Sequence, residues 1–339
     1  MKTGFVGVAG RLAAGVAIIW LFPAGLAAQS AAAPKARATA KPVAPQRTPW
    51  GDPDLQGIWS NTTTTPFERP VDLSDKTVLT EEERVALARQ VAERLNTDRA
   101  PNRPGQIVAY NEFWFERGTL TNRTSLISDP ADGKLPPFTP EGQRRWDAMT
   151  ASRKNAAESW LDRSPYDRCI TRGMPGSMMP GFYNHNYQIF QTPGYVVILV
   201  EMIHDARIIP VDGRPHLNAE VRQWLGDPRG RWEGNTLVVE TTNLNDKYFE
   251  RGAGTGFGGN LTMTERFTRV DADTIDYQFT IDDPTTFTKP WTVTAPMSRI
   301  EGPLFEYACH EGNYALAGIL GGARVEDKAP AATESDRKP

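Results

Sequence analysis

Cysteine is the scarcest residue of this chain: only Cys169 and Cys309 occur among 339 residues. Neither stands in a Cys-x-x-Cys pair, so dithiol redox catalysis and a structural zinc site have no basis. Two thiols are also too few for a small disulfide-stapled scaffold. Histidine is nearly as rare, with His185, His204, His216 and His310 the full set. A basic excess is missing too. The six Lys and Arg of residues 1–50 meet no acid, so the remainder carries 32 basic against 41 acidic residues, a net charge of −9. An acidic body argues against nucleic acid as the partner. Beyond the first 28 residues no apolar run reaches membrane-spanning length.

What is present begins with an export pattern. Lys2 and Arg11 precede an apolar run from Leu12 to Ala28 that ends in the small residues Gly25, Ala27 and Ala28. A charged start, an apolar middle and a small-residue cleavage zone read as a secretory signal peptide over 1–28. The run is short for a membrane span, and Pro23 interrupts it. An Ala/Pro/Lys-rich linker over 29–50 follows. The expected location is periplasmic or secreted, with no stable membrane span after signal removal. In an oxidising compartment an even cysteine count suggests one disulfide, Cys169–Cys309; two free buried thiols are the alternative.

Nine Trp, nine Tyr and 14 Phe are ample for a sizeable core. Gly 29 and Pro 27 together exceed average usage, which favours a turn-rich, strand-rich body. In residues 51–165, Thr80-Glu-Glu-Glu83 is a capping box that opens a helix to about Leu95, and Thr139-Pro140-Glu141 opens a second. The aromatic cluster from Tyr110 to Arg117 is too dense to be left exposed and is expected to dock on the body or lid a pocket. Later segments read as strands: Tyr195–Val200 after a Pro193-Gly194 turn, Arg207–Val211, Trp232–Thr242 turning at Gly234-Asn235, Leu261–Val270, Thr274–Ile281, Trp291–Ile300 and Leu304–Cys309. The expected fold is mainly β (α+β overall), an antiparallel lipocalin-like barrel or sandwich over 166–325. The helical and irregular segment 51–165 packs on it, and a disordered tail covers 326–339.

Five segments carry a resemblance: Trp50-Gly-Asp-Pro-Asp-Leu-Gln-Gly-Ile-Trp59, Thr65-Pro-Phe-Glu-Arg-Pro70, Glu201-Met-Ile-His-Asp-Ala-Arg207, Arg231-Trp-Glu-Gly-Asn-Thr-Leu237 and Cys309-His-Glu-Gly-Asn-Tyr314. They resemble the motifs of a large group of exported bacterial proteins with no assigned reaction, so the resemblance implies no chemistry. The Trp232–Thr242 segment is also similar to strands of lipocalin-like barrels, which implies a barrel but no ligand.

Two histidines stand beside acids, as His204-Asp205 and His310-Glu311. Histidine is the side chain most easily tuned for proton transfer near neutrality. Both pairs are expected at strand ends facing one pocket, with His204 or His310 as general base or acid and Asp205 or Glu311 orienting it. Whether Asp205-Ala206 is a hairpin tip or part of a longer loop stays open, because Asp-Ala is not a favoured two-residue turn. A disulfide would hold His310 in place. Arg207 would bind an oxyanion or carboxylate, and Glu201, His185, Tyr187 and Trp114 would complete the binding set. A metal on His204 and His310 with Glu201 or Glu311 is the competing use, but the spacing does not favour it; no metal and no cofactor are expected.

Other motifs fall away. Gly254-x-Gly256-x-x-Gly259 precedes a strand where a dinucleotide fingerprint needs a helix, and Ser177 lacks a Gly-x-Ser-x-Gly elbow. Met174, Met178, Met179, Phe182 and Tyr183 read as core or pocket wall. The functional expectation is an exported small-molecule enzyme using His/carboxylate acid–base catalysis, of lyase, isomerase or hydrolase type, in an aromatic-lined barrel pocket. The alternatives are a non-catalytic lipocalin-like binding protein for a small apolar or aromatic ligand, and an envelope interaction module.

Overall fold

The structure, a computed structural model, describes residues 46–99, 111–152, 156–245 and 259–328. The signal peptide, residues 29–45 of the linker, Tyr110, the glycine-rich segment before Gly259 and the tail from 329 lie outside the described residues. In chain order the elements are β1 (Gly57–Ser60), α1 (Glu81–Leu95), β2 (Ile127–Asp129), α2 (Pro140–Ser152), β3 (Asn186–Thr192), β4 (Tyr195–Val200) and β5 (Ala206–Pro210). Then follow β6 (Asp227–Glu233), β7 (Thr236–Thr242), β8 (Thr262–Arg269), β9 (Thr274–Asp282), β10 (Trp291–Thr294), β11 (Met297–Arg299) and α3 (Ala315–Glu326).

Side-chain alternation builds the sheet, since successive residues of a strand face opposite sides. On β8 the residues Met263, Glu265 and Phe267 are buried, and on β9 Ile275, Tyr277, Phe279 and Ile281 are. Tight turns join the hairpins as their sequences dictate. Thr192 pairs with Tyr195 across Pro193-Gly194, and Glu233 pairs with Thr236 across Gly234-Asn235, where Gly234 takes a φ of +61° that its missing Cβ permits. Both helix starts are capped as expected. The Thr80 hydroxyl accepts from the Glu83 amide while the Glu83 carboxylate accepts from the Thr80 amide, and the Thr139 hydroxyl accepts from the Gly142 amide at 3.0 Å.

The strands form one antiparallel sheet in the order β5-β4-β3-β1-β11-β9-β8-β7-β6, with β10 bridging β9 and β2. This is a mainly β fold, nearly closed into a barrel. The interior is filled: Trp59, Tyr187, Phe267, Tyr277, Phe279 and Trp291 have no solvent access. The rings of Phe267 and Tyr277 pack with centroids 4.7 Å apart. Because every ladder on this path is antiparallel, strand direction alternates along it. Nine strands therefore leave the two terminal ones, β5 and β6, running the same way, with no ladder between them among the described residues. They approach closely at one end only because residue 230 is glycine: a Cβ there would lie 2.7 Å from Val211 Cγ1 and 2.9 Å from Ile209 Cγ2.

Four expectations are corrected. The Trp291–Ile300 strand is two strands, β10 and β11, separated at Ala295-Pro296, where Pro cannot donate to a ladder. Leu304–Cys309 is not a strand. The β11 edge is occupied by β1, and the amide of Phe305 and the carbonyl of Tyr307 bond to Glu201 and His204 side chains instead. The 51–165 segment supplies sheet as well as helix, since β1 sits between β3 and β11 and β2 pairs with β10. Residues 315–325, read as the end of the β-body, and Glu326, read as the start of the disordered tail, form α3.

Candidate functional site

The strand registers put the starts of β3, β5 and β6 and the ends of β4 and β7 at one end of the barrel. There β4 and β5 are joined by Glu201–Asp205, a longer loop rather than a two-residue turn. It carries two non-glycine residues in the left-handed region, Ile203 at φ +64° and His204 at +48°. For a β-branched residue this is a strained conformation. Beside this loop, where β5 and β6 splay, lies a cleft of about 570 Å³. That volume falls within the range of small-molecule sites. Asp205, Thr171, Ile208 and Pro210 line one side; Arg222, Trp224, Leu225 and Asp227 line the other.

Asp205 is a half-buried carboxyl group lining the cleft. Partial burial raises its pKa, against the opposing effect of the Thr171 hydroxyl, which donates to Oδ2 at 2.7 Å, and of nearby His204. The fully buried Thr171 is itself fixed, because its hydroxyl accepts the Gly173 amide at 3.0 Å. The disulfide between Cys169 and Cys309, with an S–S distance of 2.05 Å, ties the 169–173 segment to the 309–314 turn.

The structure gathers some expected residues and separates others. His204 is exposed, with Nδ1 3.0 Å from the Tyr307 carbonyl. Its loop thus lies against the segment leading into the disulfide. His310 and Glu311 are exposed on the turn after Cys309. Arg207 does not reach out to a ligand. Strand parity turns it inward with Ile209, while Ala206 and Ile208 face out. Its guanidinium is bidentate on Glu265, with Nη1 at 2.9 Å from Oε1. The Tyr277 hydroxyl donates to the same carboxylate at 2.9 Å. Glu201 is buried and accepts from Asn186 Nδ2 at 2.8 Å and from the Phe305 amide at 3.1 Å. Tyr187 is buried with its hydroxyl 3.3 Å from Asn61 Oδ1, and burial drives its pKa upward.

His185 is also internal. Burial, reinforced by the Arg172 cation, lowers its pKa to about 3. The neutral ring donates from Nδ1 to the Tyr183 carbonyl at 2.7 Å and presents Nε2 to Arg172. Trp114 lies at the surface with 54% of its area exposed, and Phe113 beside it with 83%, so the aromatic cluster is not covered as expected. Its inner member Phe115 packs on Phe182 at 5.4 Å, and Arg117 lies over both rings.

No family model, no curated protein and no solved structure matches this chain. The chemistry of the site is therefore read from its own geometry. Among the described residues no three His, Cys, Asp or Glu gather within metal-ligand range, and no helix is long and apolar enough to cross a membrane.

Two groups escaped sequence reasoning. Glu265 had a usable signal, since it interrupts an otherwise apolar stripe of Leu261, Met263 and Phe267. The second is a cluster at the cleft wall, to which Asp227 and Arg229 belong. His216 places Nδ1 2.9 Å from Asp227 Oδ2 and Nε2 3.2 Å from Glu240 Oε1, and Arg229 donates to Asp227 Oδ1 at 2.6 Å. No acid adjoins His216 in sequence, so nothing local announced this cluster.

Proposed function

We propose that the protein is an exported enzyme that performs acid–base chemistry on a small organic molecule in the β5–β6 cleft, with Asp205 as the proton-transferring group. The observation that carries this reading is a partly buried carboxyl lining a cleft of about 570 Å³, with its pKa raised by burial and its orientation fixed by Thr171. A carboxyl shifted toward its protonated form at a concave site is suited to both donating and accepting a proton. Trp224, Ile208 and Pro210 supply an apolar wall and Arg222 a positive charge, a lining that suits a small, partly aromatic, uncharged or anionic substrate. The reaction class stays with proton transfer: lyase, isomerase or hydrolase. Export to the periplasm or beyond is supported by the N-terminal sequence and by the Cys169–Cys309 disulfide.

The test starts from ligands found by thermal-shift screening of small aromatic and carboxylate compounds. Asp205→Asn is then compared with wild type for affinity and turnover. Turnover should fall by about 10²–10⁴-fold, the usual contribution of a general acid or base, while affinity changes little. Undiminished turnover in Asp205→Asn removes the acid–base role. A ligand that binds the wild type tightly and is never transformed favours the binding-protein reading.

A further inference from the structure

Much of the cleft wall opposite Asp205 lies outside the barrel strands. It belongs to residues 211–226, which join β5 to β6 and, among the described residues, make one isolated bridge, Gln223 with Leu244. Backbone bonds fix its two ends, Val211 to Gly194 and Gln223 to Asn243 and Asn245 at 2.9 Å each, and Arg222 donates to the Leu244 carbonyl at 3.1 Å; between those ends the segment has no ladder among the described residues and is held by side chains. The Asp227 carboxylate accepts the Leu217 amide at 2.8 Å, and Arg229 Nε donates to the Pro215 carbonyl at 2.9 Å. Asn243 Nδ2 donates to the carbonyls of Leu217, Asn218 and Val221. His216, inside the segment, completes the attachment through both ring nitrogens.

Those two nitrogens meet two carboxylates. From β6, Asp227 faces Nδ1 and is itself paired with Arg229; from β7, Glu240 faces Nε2, and the Thr242 hydroxyl lies 3.2 Å from Nδ1. On its own segment Asp212 and Arg214 are paired with each other, and Glu220 is exposed. A neutral imidazole carries one N–H, so it can donate to Asp227 or to Glu240 but not to both. Only the imidazolium satisfies the observed geometry with two charge-assisted hydrogen bonds.

We propose that His216 is a positioning residue whose protonation clamps the 211–226 segment to β6 and β7 and thereby sets the Trp224 wall of the cleft. Removing the ring proton breaks one of these two bonds. One carboxylate then faces a nitrogen lone pair, and the wall loosens. Its consequence for a substrate rests on the cleft being the binding site, but the clamp can be tested with no ligand at all, so failure of the two ideas is distinguishable.

The measurement is hydrogen–deuterium exchange of peptides spanning 212–226, corrected for intrinsic rates, at about pH 5.5 and about pH 8.5, either side of the ordinary imidazole value. In the wild type, protection of this segment should fall by about tenfold or more between the two, in line with the loss of one charge-assisted hydrogen bond, while β8–β9 peptides stay unchanged. His216→Gln removes the titrating ring and should abolish the step. Glu240→Gln alters only a half-exposed partner and serves even where His216→Gln fails to fold. Its amide can donate to a neutral Nε2, so the step should shrink. A wild-type segment whose protection does not change with pH overturns the proposal. So does a step of full size in Glu240→Gln.

Discussion

The ion pair across the barrel interior offers the sharpest test of how this fold is held. Arg207 and Glu265 expose 1% and 0% of their side chains, and among the described residues the carboxylate has the guanidinium and the Tyr277 hydroxyl as its side-chain partners. Replacing Arg207 by Met keeps much of the volume but leaves a stranded anion among aromatic rings. Breaking a buried pair in this way costs about 3–5 kcal/mol. For a domain of this size that corresponds to a midpoint lowered by roughly 10 °C. Urea or thermal unfolding followed by tryptophan fluorescence measures it. The double variant Arg207→Met/Glu265→Leu removes both charges and should return to within about 2 kcal/mol of wild type, because two desolvated ions are exchanged for packing. Acidification should restore part of the single variant's loss, since protonation neutralises the stranded group. If Arg207→Met unfolds within about 1 kcal/mol of wild type, the pair is not the structural element described here. The sequence-based role of Arg207 as an oxyanion binder would then regain its claim, for that role requires lost affinity without lost stability.

Two further outcomes follow from the site's surroundings. Replacing Cys169 and Cys309 by Ser frees a segment with a sequence separation of 140; on chain-entropy grounds the unfolding free energy should drop by about 5 kcal/mol, matched by reductant on the wild type, and unchanged denaturation curves would contradict it. His185 gives a pH signature. Its folded pKa of about 3 lies below the unfolded value, so as pH falls below about 6.5 the unfolded chain gains a proton that the folded one refuses. Stability should therefore decline by about 1.4 kcal/mol per pH unit from this group alone until the pH nears the folded value. His185→Gln should flatten that slope, and an unaltered slope would refute the assignment.

Much of the β-body was legible because its causes are local. The β8 and β9 stripes, the Pro193-Gly194 and Gly234-Asn235 turns and the Thr80 capping box each sit within a few residues of the signal that produces them. The β1 strand was not legible: four residues, Gly57–Ser60, carry too little alternation to stand out, and their place is fixed by the empty edges of β3 and β11. The Leu304–Cys309 error has the same origin in reverse, an extended segment that found its edge already filled. At the site, adjacency in sequence misdirected attention. His204-Asp205 and His310-Glu311 looked like working pairs, yet both imidazoles lie at the surface, whereas His216 draws its carboxylates from Asp227 and Glu240, 11 and 24 residues away. A pairing made by two strands of a hairpin and the loop before it leaves no trace in a linear window.

The position of the cleft follows from counting strands. With nine members and every ladder antiparallel, the terminal strands of the path meet in parallel. Parallel pairing needs evenly spaced, slanted bonds, and both partners are poorly equipped for them, because Pro210 on β5 and Pro228 on β6 bring no amide donor. The same prolines protect the two edges from pairing with other chains. Gly230 allows close approach to Val211 and Ile209, and the cleft lies alongside, framed by Asp205 of the strained Glu201–Asp205 loop and by Arg222–Gly226 of the 211–226 segment. An even-numbered path could have zipped shut along its whole length and buried Asp205 against a neighbour. In this barrel the odd count leaves a notch in the sheet, and the notch is where a polar carboxyl can be partly desolvated and still be reached.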